Sequence, residues 1–343
     1  MNQVNKMNQN NPILTGLTTL VLALLLTACA ATPSVTDPLP SWTTGASKQR
    51  IINFVADVTD SDGLSYVPAN ERIATFDNDG TLWSEKPTYF QLLFILRQVT
   101  LMAADHPEWS TTQPFQAVLE NDWASLKAAG AAGWEKLAMA TQAGMTTEEF
   151  RLLVNDWVAN AKHPTSGKPY TQMVYQPMLE LIDYLKANEF KVFIVSGGGI
   201  EFMRAWTESV YGIPPDQVVG SSIETRFEVR DGQNVIVREP KMHFYNDKGG
   251  KPVAINRFIG QRPILAVGNS DGDFEMLQWT SSGEGARLGI LVHHTDAERE
   301  WAYDRDSLEG RLNRGLDEAG QNGWLVVDMA NDWKVIYPYE NSY

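Results

Sequence analysis

An α/β fold built on a parallel sheet is what this sequence predicts, and three observations predict it. Four short apolar runs, Arg72–Phe76, Lys191–Val195, Pro263–Val267 and Leu288–Val292, are each followed by polar or glycine residues, as buried strands are. The stretches between them carry helical periodicity. Within Pro177–Phe190, for example, Met178, Leu181, Ile182 and Leu185 share one face at i, i+3, i+4, i+7. Strands that are apolar throughout and alternate with helices belong to parallel sheets covered on both sides.

At the N-terminus, Lys6 precedes a charge-free run over residues 7–36, mostly apolar from Ile13 to Ala28. The run is short for a membrane span, which takes about 20 predominantly apolar residues. A basic start, an apolar stretch and small residues match a secretory signal, assigned to residues 1–28. It ends Leu26-Thr27-Ala28-Cys29, which resembles the lipobox of bacterial lipoproteins. That resemblance implies cleavage before Cys29 and lipidation of its new N-terminus. The expected location is therefore the periplasmic face of a bacterial membrane, or the periplasm or exterior for an unlipidated form. An ordinary signal peptide with an incidental Cys29 is the alternative. Residues 29–50, rich in Thr, Pro and Ser, read as a tether.

The core is expected over residues 51–83 and 176–343. Between its first two strands lie residues 84–175, rich in Ala, Leu, Gln and Trp and without a strand signal. They are expected to form a helical cap. Its Trp109, Trp123, Trp134 and Trp157 read either as core or as an aromatic box for a cationic group. Ser222–Val237 alternates in polarity and carries Asp231-Gly232, a strong hairpin signal. Ile200–Tyr211 and Val253–Ile259 are further helix candidates.

A chain of 343 residues, 43% hydrophobic and 20% charged, has the composition of a globular protein rather than a fibre or disordered tail. Lys+Arg of 28 against Asp+Glu of 42 gives a net charge of −14, which argues against a nucleic-acid binder. A small phosphorylated substrate remains open, because one metal ion and one lysine make a local positive site. A single cysteine excludes an intrachain disulfide and a Cys-rich zinc site.

In open α/β sheets, ligands bind beyond the carboxyl ends of the strands. The first strand is followed by Asp77-Asn78-Asp79-Gly80-Thr81, the second by Ser196-Gly197-Gly198-Gly199, the third by Gly268-Asn269-Ser270-Asp271-Gly272-Asp273. Carboxylates gathered at one rim repel each other unless a cation joins them, and oxygen ligands suit Mg²⁺.

These motifs, in order over about Arg72 to Val292, resemble those of haloacid-dehalogenase-superfamily phosphatases, and within them the phosphoserine-phosphatase-like branch. The resemblance implies a Rossmann-like core with a helical cap inserted after the first catalytic strand. It implies Asp77 as nucleophile, Asp79 as general acid/base, and Thr81, Ser196 and Gly197 on the phosphoryl group. It implies Mg²⁺ between Asp77, the Asp79 carbonyl and the last motif, and a lysine opening a helix upstream of the third strand. We assign that lysine to Lys251, which opens Pro252–Ile259, with Lys248 and Lys241 as alternatives.

The last motif departs from the family pattern, having Asn269 at the usual metal-ligand aspartate. Asp273 aligns with the second acid, and Asp271 is a candidate compensating ligand. Glu85 lies one residue off a position where relatives keep an acid for the substrate, and reads as a surface glutamate. His293-His294-Thr295-Asp296, after the fourth strand, reads as loop, with a place on the same rim as the alternative. The expected activity is Mg²⁺-dependent hydrolysis of small phosphorylated metabolites outside the cytoplasm. A phosphotransferase of the same fold, and a weakly catalytic lipoprotein that captures a phosphorylated ligand, are the alternatives.

Overall fold

The computed structural model describes residues 37–341. The expected signal segment and Cys29 lie outside them. Its strands are β1 (Ile73–Phe76), β2 (Lys191–Gly199), β3 (Val218–Arg230), β4 (Gln233–Phe244), β5 (Leu265–Gly268), β6 (Leu288–Thr295), β7 (Ala302–Tyr303) and β8 (Leu325–Asp328). They form one sheet in the order β4-β3-β2-β1-β5-β6-β7, with β8 also pairing β6. β1 sits centrally, parallel to β2 with Ile73 opposite Lys191, and parallel to β5 with Ala74 opposite Leu265. The pairs β2–β3, β5–β6 and β6–β8 are parallel as well, while β3–β4 and β6–β7 are antiparallel.

Side chains along each inner strand point alternately to opposite faces, and both faces are buried. Ala74, Phe76, Ile194 and Val267 join one apolar cluster. Ile73, Phe193, Val195 and Ala266 join another on the reverse side. That double burial is why these runs are apolar without alternation.

The helices are α1 (Ala46–Thr59), α2 (Phe90–Met102), α3 (Phe115–Leu119), α4 (Trp123–Gln142), α5 (Thr147–Asn160), α6 (Gln176–Ala187), α7 (Ile200–Arg204), α8 (Thr207–Tyr211), α9 (Gly250–Ala254), α10 (Phe274–Ser281), α11 (Arg314–Glu318) and α12 (Met329–Asp332). α6 buries Met178, Leu181, Ile182 and Leu185, the face its spacing marks out. α5 opens with a reciprocal capping box between Thr146 and Glu149. The expected single helix over Ile200–Tyr211 is two short ones, broken around Ala205-Trp206.

Two expectations are corrected. The tether ends earlier than residue 50: Leu39 and Trp42 are fully buried, and Trp42 Nε1 donates to Pro177 O at 3.0 Å. Two large apolar side chains anchor a stretch whose Thr, Pro and Ser content suggested a linker. The hairpin also extends beyond Ser222–Val237. β3 first lies beside β2, with Ile194 opposite Val218, and then runs out with β4 as a ribbon. Its turn places Asp231 at φ 49° and Gly232 at φ 78°, the two positive values a tight hairpin requires. The ribbon leans on the insert, where Gly144 N donates to Arg238 O at 2.8 Å and Arg238 N to Met145 O at 3.0 Å.

Candidate active site

Two strand ends and one short helix meet at Lys251. From α9, its Nζ donates to Asp77 Oδ1 at 2.7 Å and to Asp273 Oδ1 at 2.5 Å. Asp77 is held at the end of β1 by its own N–H, which donates to Val267 O on β5 at 2.9 Å. Asp273 precedes α10, and its Oδ2 accepts from the N–H groups of Asn269 and Ser270, both at 3.0 Å. The lysine and its two carboxylates are all buried.

The turn after β1 is compact. Asn78 O accepts from the N–H groups of Thr81, Leu82 and Trp83, and Gly80 N donates to Trp83 O at 2.8 Å. Trp83 Nε1 donates to Asp79 Oδ1 at 2.8 Å, which fixes that carboxyl and leaves Oδ2 toward Gly198. Gly80 takes φ 74°, and a Cβ there would collide with the Asn269 amide and the Glu85 carboxylate, so only glycine fits. After β2, Ser196 Oγ accepts from Gly198 N at 3.1 Å, and Gly199 N donates to Gln91 Oε1 on α2 at 2.7 Å. The insert thus touches the glycine loop directly.

Burial sets the electrostatics. It pushes Asp77 well above its usual range, Asp273 adds to that and Lys251 opposes it. Burial likewise raises Asp79 to about 6, against the hydrogen bond from Trp83 and the charge of Lys251. Burial lowers Lys251 less than Asp273 and Asp77 raise it, so it stays charged. Above these groups opens a cleft of about 560 Å³, walled by α2, α4 and the start of the ribbon.

A family model for haloacid dehalogenase-like hydrolases matches residues 74–278, more than half of the chain and all three strand-end motifs. The chain belongs to that family. Among solved structures, a conserved protein of unknown function from Anaerococcus prevotii DSM 20548 is 17% identical, with a TM-score of 0.44, covering 73% of this chain and 86% of that one. One from Bordetella pertussis Tohama I, also of unknown function, is 16% identical, with a TM-score of 0.45, over 76% and 99%. A phosphoserine phosphohydrolase-like protein from Francisella tularensis subsp. tularensis SCHU S4 is 16% identical, with a TM-score of 0.39, over 73% and 98%. No curated protein matches the chain.

Within this haloacid dehalogenase-like hydrolase the site residues divide. Asp77, Asp79, Ser196, Gly197 and Lys251 line the cleft. Lys241 is exposed and pairs with Glu224 on the ribbon, and Lys248 is exposed, so neither replaces Lys251. Thr81 is fully buried and donates to Asn269 Oδ1 at 3.0 Å, which makes it a support for that amide. Asp271 is a correction as a candidate metal ligand. Its carboxylate accepts from the N–H groups of Asn313, Arg314 and Gly315 at 3.1, 3.2 and 2.9 Å, because the segment opening α11 presents those donors to it. Of the tryptophans, Trp123 and Trp134 line the cleft, whereas Trp109 and Trp157 are buried in stacks with Phe115 and Tyr170.

Glu85 and His294 depart most from their sequence readings. Glu85 is 1% exposed and accepts from Asn269 Nδ2 at 2.8 Å and Tyr303 Oη at 2.7 Å. Burial pushes it up to about 7, against the pull of His294 and Tyr303. His294 is buried between Glu300 and the carbonyl of Gly80, 2.8 Å from Nε2. Burial lowers its pKa, but Glu300, Glu85 and the Gly80 carbonyl together outweigh this and the net shift is upward. Asn246 had no sequence signal. Fully buried, it donates from Nδ2 to Ser196 O at 2.9 Å and ties the glycine loop to the segment leading into α9.

A divalent cation fits this floor. Asp77, Asp79 and Asp273 lie around Lys251, three carboxyl groups to one ammonium; burial raises Asp77 and Asp79, and Asp273 adds to the rise at Asp77. Among the described residues, no three His, Cys, Asp or Glu side chains form a metal-holding group. A set centred on the Asp77 carboxylate, the Asp79 carbonyl and the Asn269 amide oxygen needs none, since all are hard oxygen donors.

Proposed function

We propose that this hydrolase cleaves phosphomonoesters by a two-step transfer through Asp77. The observation that carries the reading is Lys251 joining Asp77 and Asp273 at 2.7 and 2.5 Å beneath the cleft, with Asp79 two residues from the nucleophile.

In the first step an Asp77 oxygen attacks phosphorus and the bond from phosphorus to the ester oxygen breaks. Asp79 gives its proton to that oxygen, so the alcohol leaves neutral. In the second step water attacks phosphorus and Asp79 takes the water proton. The bond from the Asp77 oxygen to phosphorus then breaks, releasing inorganic phosphate and restoring the carboxylate. A pKa of about 6 suits Asp79 to both roles, and such a group contributes about 10²–10⁴-fold. Lys251 holds positive charge beside the attacking carboxylate, and Ser196 with the glycine loop supplies donors for phosphoryl oxygens. When bound, Mg²⁺ would be held by Asp77, the Asp79 carbonyl and Asn269 and would supply charge neutralisation at the phosphoryl group.

Export as a lipoprotein anchored through Cys29 belongs to the same proposal, supported by the charge-free run over residues 7–36 and the sequence before Cys29. The reaction is tested by phosphate release from p-nitrophenyl phosphate with Mg²⁺, with EDTA, and with Asp77→Asn. The reading expects release that needs both Mg²⁺ and Asp77. Undiminished release from Asp77→Asn would overturn it.

A further inference from the structure

The phosphomonoesterase reading leaves the alcohol open, and the wall of the cleft bears on it. The inference rests on that reading and extends it. At about 560 Å³, the cleft lies in the range that encloses a drug-sized ligand, far beyond what a phosphoryl group and a two-carbon alcohol fill. Away from the floor, apolar side chains make up much of its wall. α4 contributes Trp134 and Met139, α2 contributes Leu92 and Ile95, and the ribbon contributes Ile223 and Met242.

The buried and half-buried charged groups of that wall are engaged, while Lys127 and Asp247 at its rim are exposed. Arg238 is 5% exposed, pairs with Glu201, donates to Gln142 O at 3.2 Å and lies 3.8 Å over the Phe150 ring. Glu135 accepts from the Tyr245 hydroxyl, and Gln91 is held by the glycine loop. A leaving group carrying a carboxylate or second phosphate would lose water there without gaining a buried counter-charge. An uncharged ring would exchange water for the indole and thioether of Trp134 and Met139.

We infer that the substrate is a phosphomonoester whose alcohol carries an uncharged, largely apolar group of ring size, seated between α4 and the ribbon. The test compares 2-phenylethyl phosphate with ethyl phosphate, whose alcohols differ little in acidity, so that leaving-group chemistry is held nearly constant. p-Nitrophenyl phosphate serves as the activity control. The expected kcat/KM ratio of the phenylethyl to the ethyl ester is about tenfold or more. It falls severalfold in Trp134→Ala and less in Trp134→Phe. If Trp134→Ala does not fold, Met242→Ala on the opposite wall asks the same question.

Equal kcat/KM values for the two esters, or a ratio that neither wall's variants move, would overturn the inference and leave the hydrolase reading standing. Absence of turnover on all three esters would contradict the hydrolase reading itself, and this inference would fall with it.

Discussion

Asn269 Nδ2 donates to Glu85 Oε1 across 2.8 Å, so the amide of the last strand-end motif is backed by a buried carboxyl group. With Thr81 donating to Asn269 Oδ1 at 3.0 Å, the amide is fixed at both ends. The Glu85 carboxyl, raised to about 7 mainly by burial, thus stands directly behind an amide that brings no charge of its own. Glu85 is a positioning residue in this account, acting on the metal site through Asn269.

Glu85→Gln keeps the shape and an acceptor oxygen while removing the charge. Loss of such an outer partner weakens metal binding by about 10–100-fold. Isothermal titration with Mg²⁺ should show at least the lower end of that range, with the fold intact by circular dichroism. Unchanged Mg²⁺ affinity would remove Glu85 from the account.

Asn269→Asp has the opposite effect without metal. It places a second carboxylate against Glu85 in a buried site and removes the Nδ2 donor, leaving Glu85 Oε1 with Tyr303 Oη alone and losing a hydrogen bond to a charged group worth about 1.5–3 kcal/mol. The variant should melt lower than wild type in EDTA and recover most of the loss in Mg²⁺. Combining it with Glu85→Gln should restore metal-free stability, and a purely additive double mutant would show that the two residues are uncoupled.

The pH dependence of stability follows from Asp79 and Glu85, which burial raises to about 6 and about 7. A carboxyl whose pKa rises on folding binds more protons folded than unfolded between its two values. The stability linked to that proton is fully present below the unfolded pKa and is lost as pH rises through the folded one. Metal-free protein should therefore lose melting temperature between about pH 4 and pH 7 through these groups. Glu85→Gln or added Mg²⁺ should flatten the upper part of that fall in calorimetry.

Asp271→Ala separates architecture from chemistry. The carboxylate receives three backbone N–H groups at the start of α11, the bonding of a helix cap. Its removal should lower stability by about 0.5–2 kcal/mol in urea unfolding. Mg²⁺ affinity should stay as in wild type, and a large loss would return Asp271 to the metal site.

The strand-end motifs were legible because each is written locally. An apolar run ends, a carboxylate or glycine loop follows, and the parallel sheet delivers all three to one edge. Lys251 was legible from the same local logic, as the residue opening a helix. What stayed hidden depends on partners far along the chain. Glu85 meets Asn269 across 184 positions and Tyr303 across 218, and His294 meets Gly80 across 214. The closeness of Glu85 to the first motif was its one sequence cue, and a one-residue offset left it indistinguishable from a surface acid. Leu39 and Trp42 were masked differently, by a Thr-, Pro- and Ser-rich neighbourhood whose average says linker while two side chains pack into the core. Asp271 misled because spacing places it among ligands, whereas donors more than forty residues away claim its oxygens.

The most direct test of the central claim asks which atom carries the phosphoryl group. In Asp79→Asn, p-nitrophenyl phosphate should still react in the first step, because p-nitrophenolate leaves without needing a proton. The second step loses its base and should stall. Acid quenching within the first turnover, followed by peptide mass spectrometry, should then find one phosphoryl group on the peptide containing Asp77. It should be absent when Asp77→Asn is added. Phosphate release with no phosphorylated peptide, or with the phosphoryl group on another residue, would contradict the account.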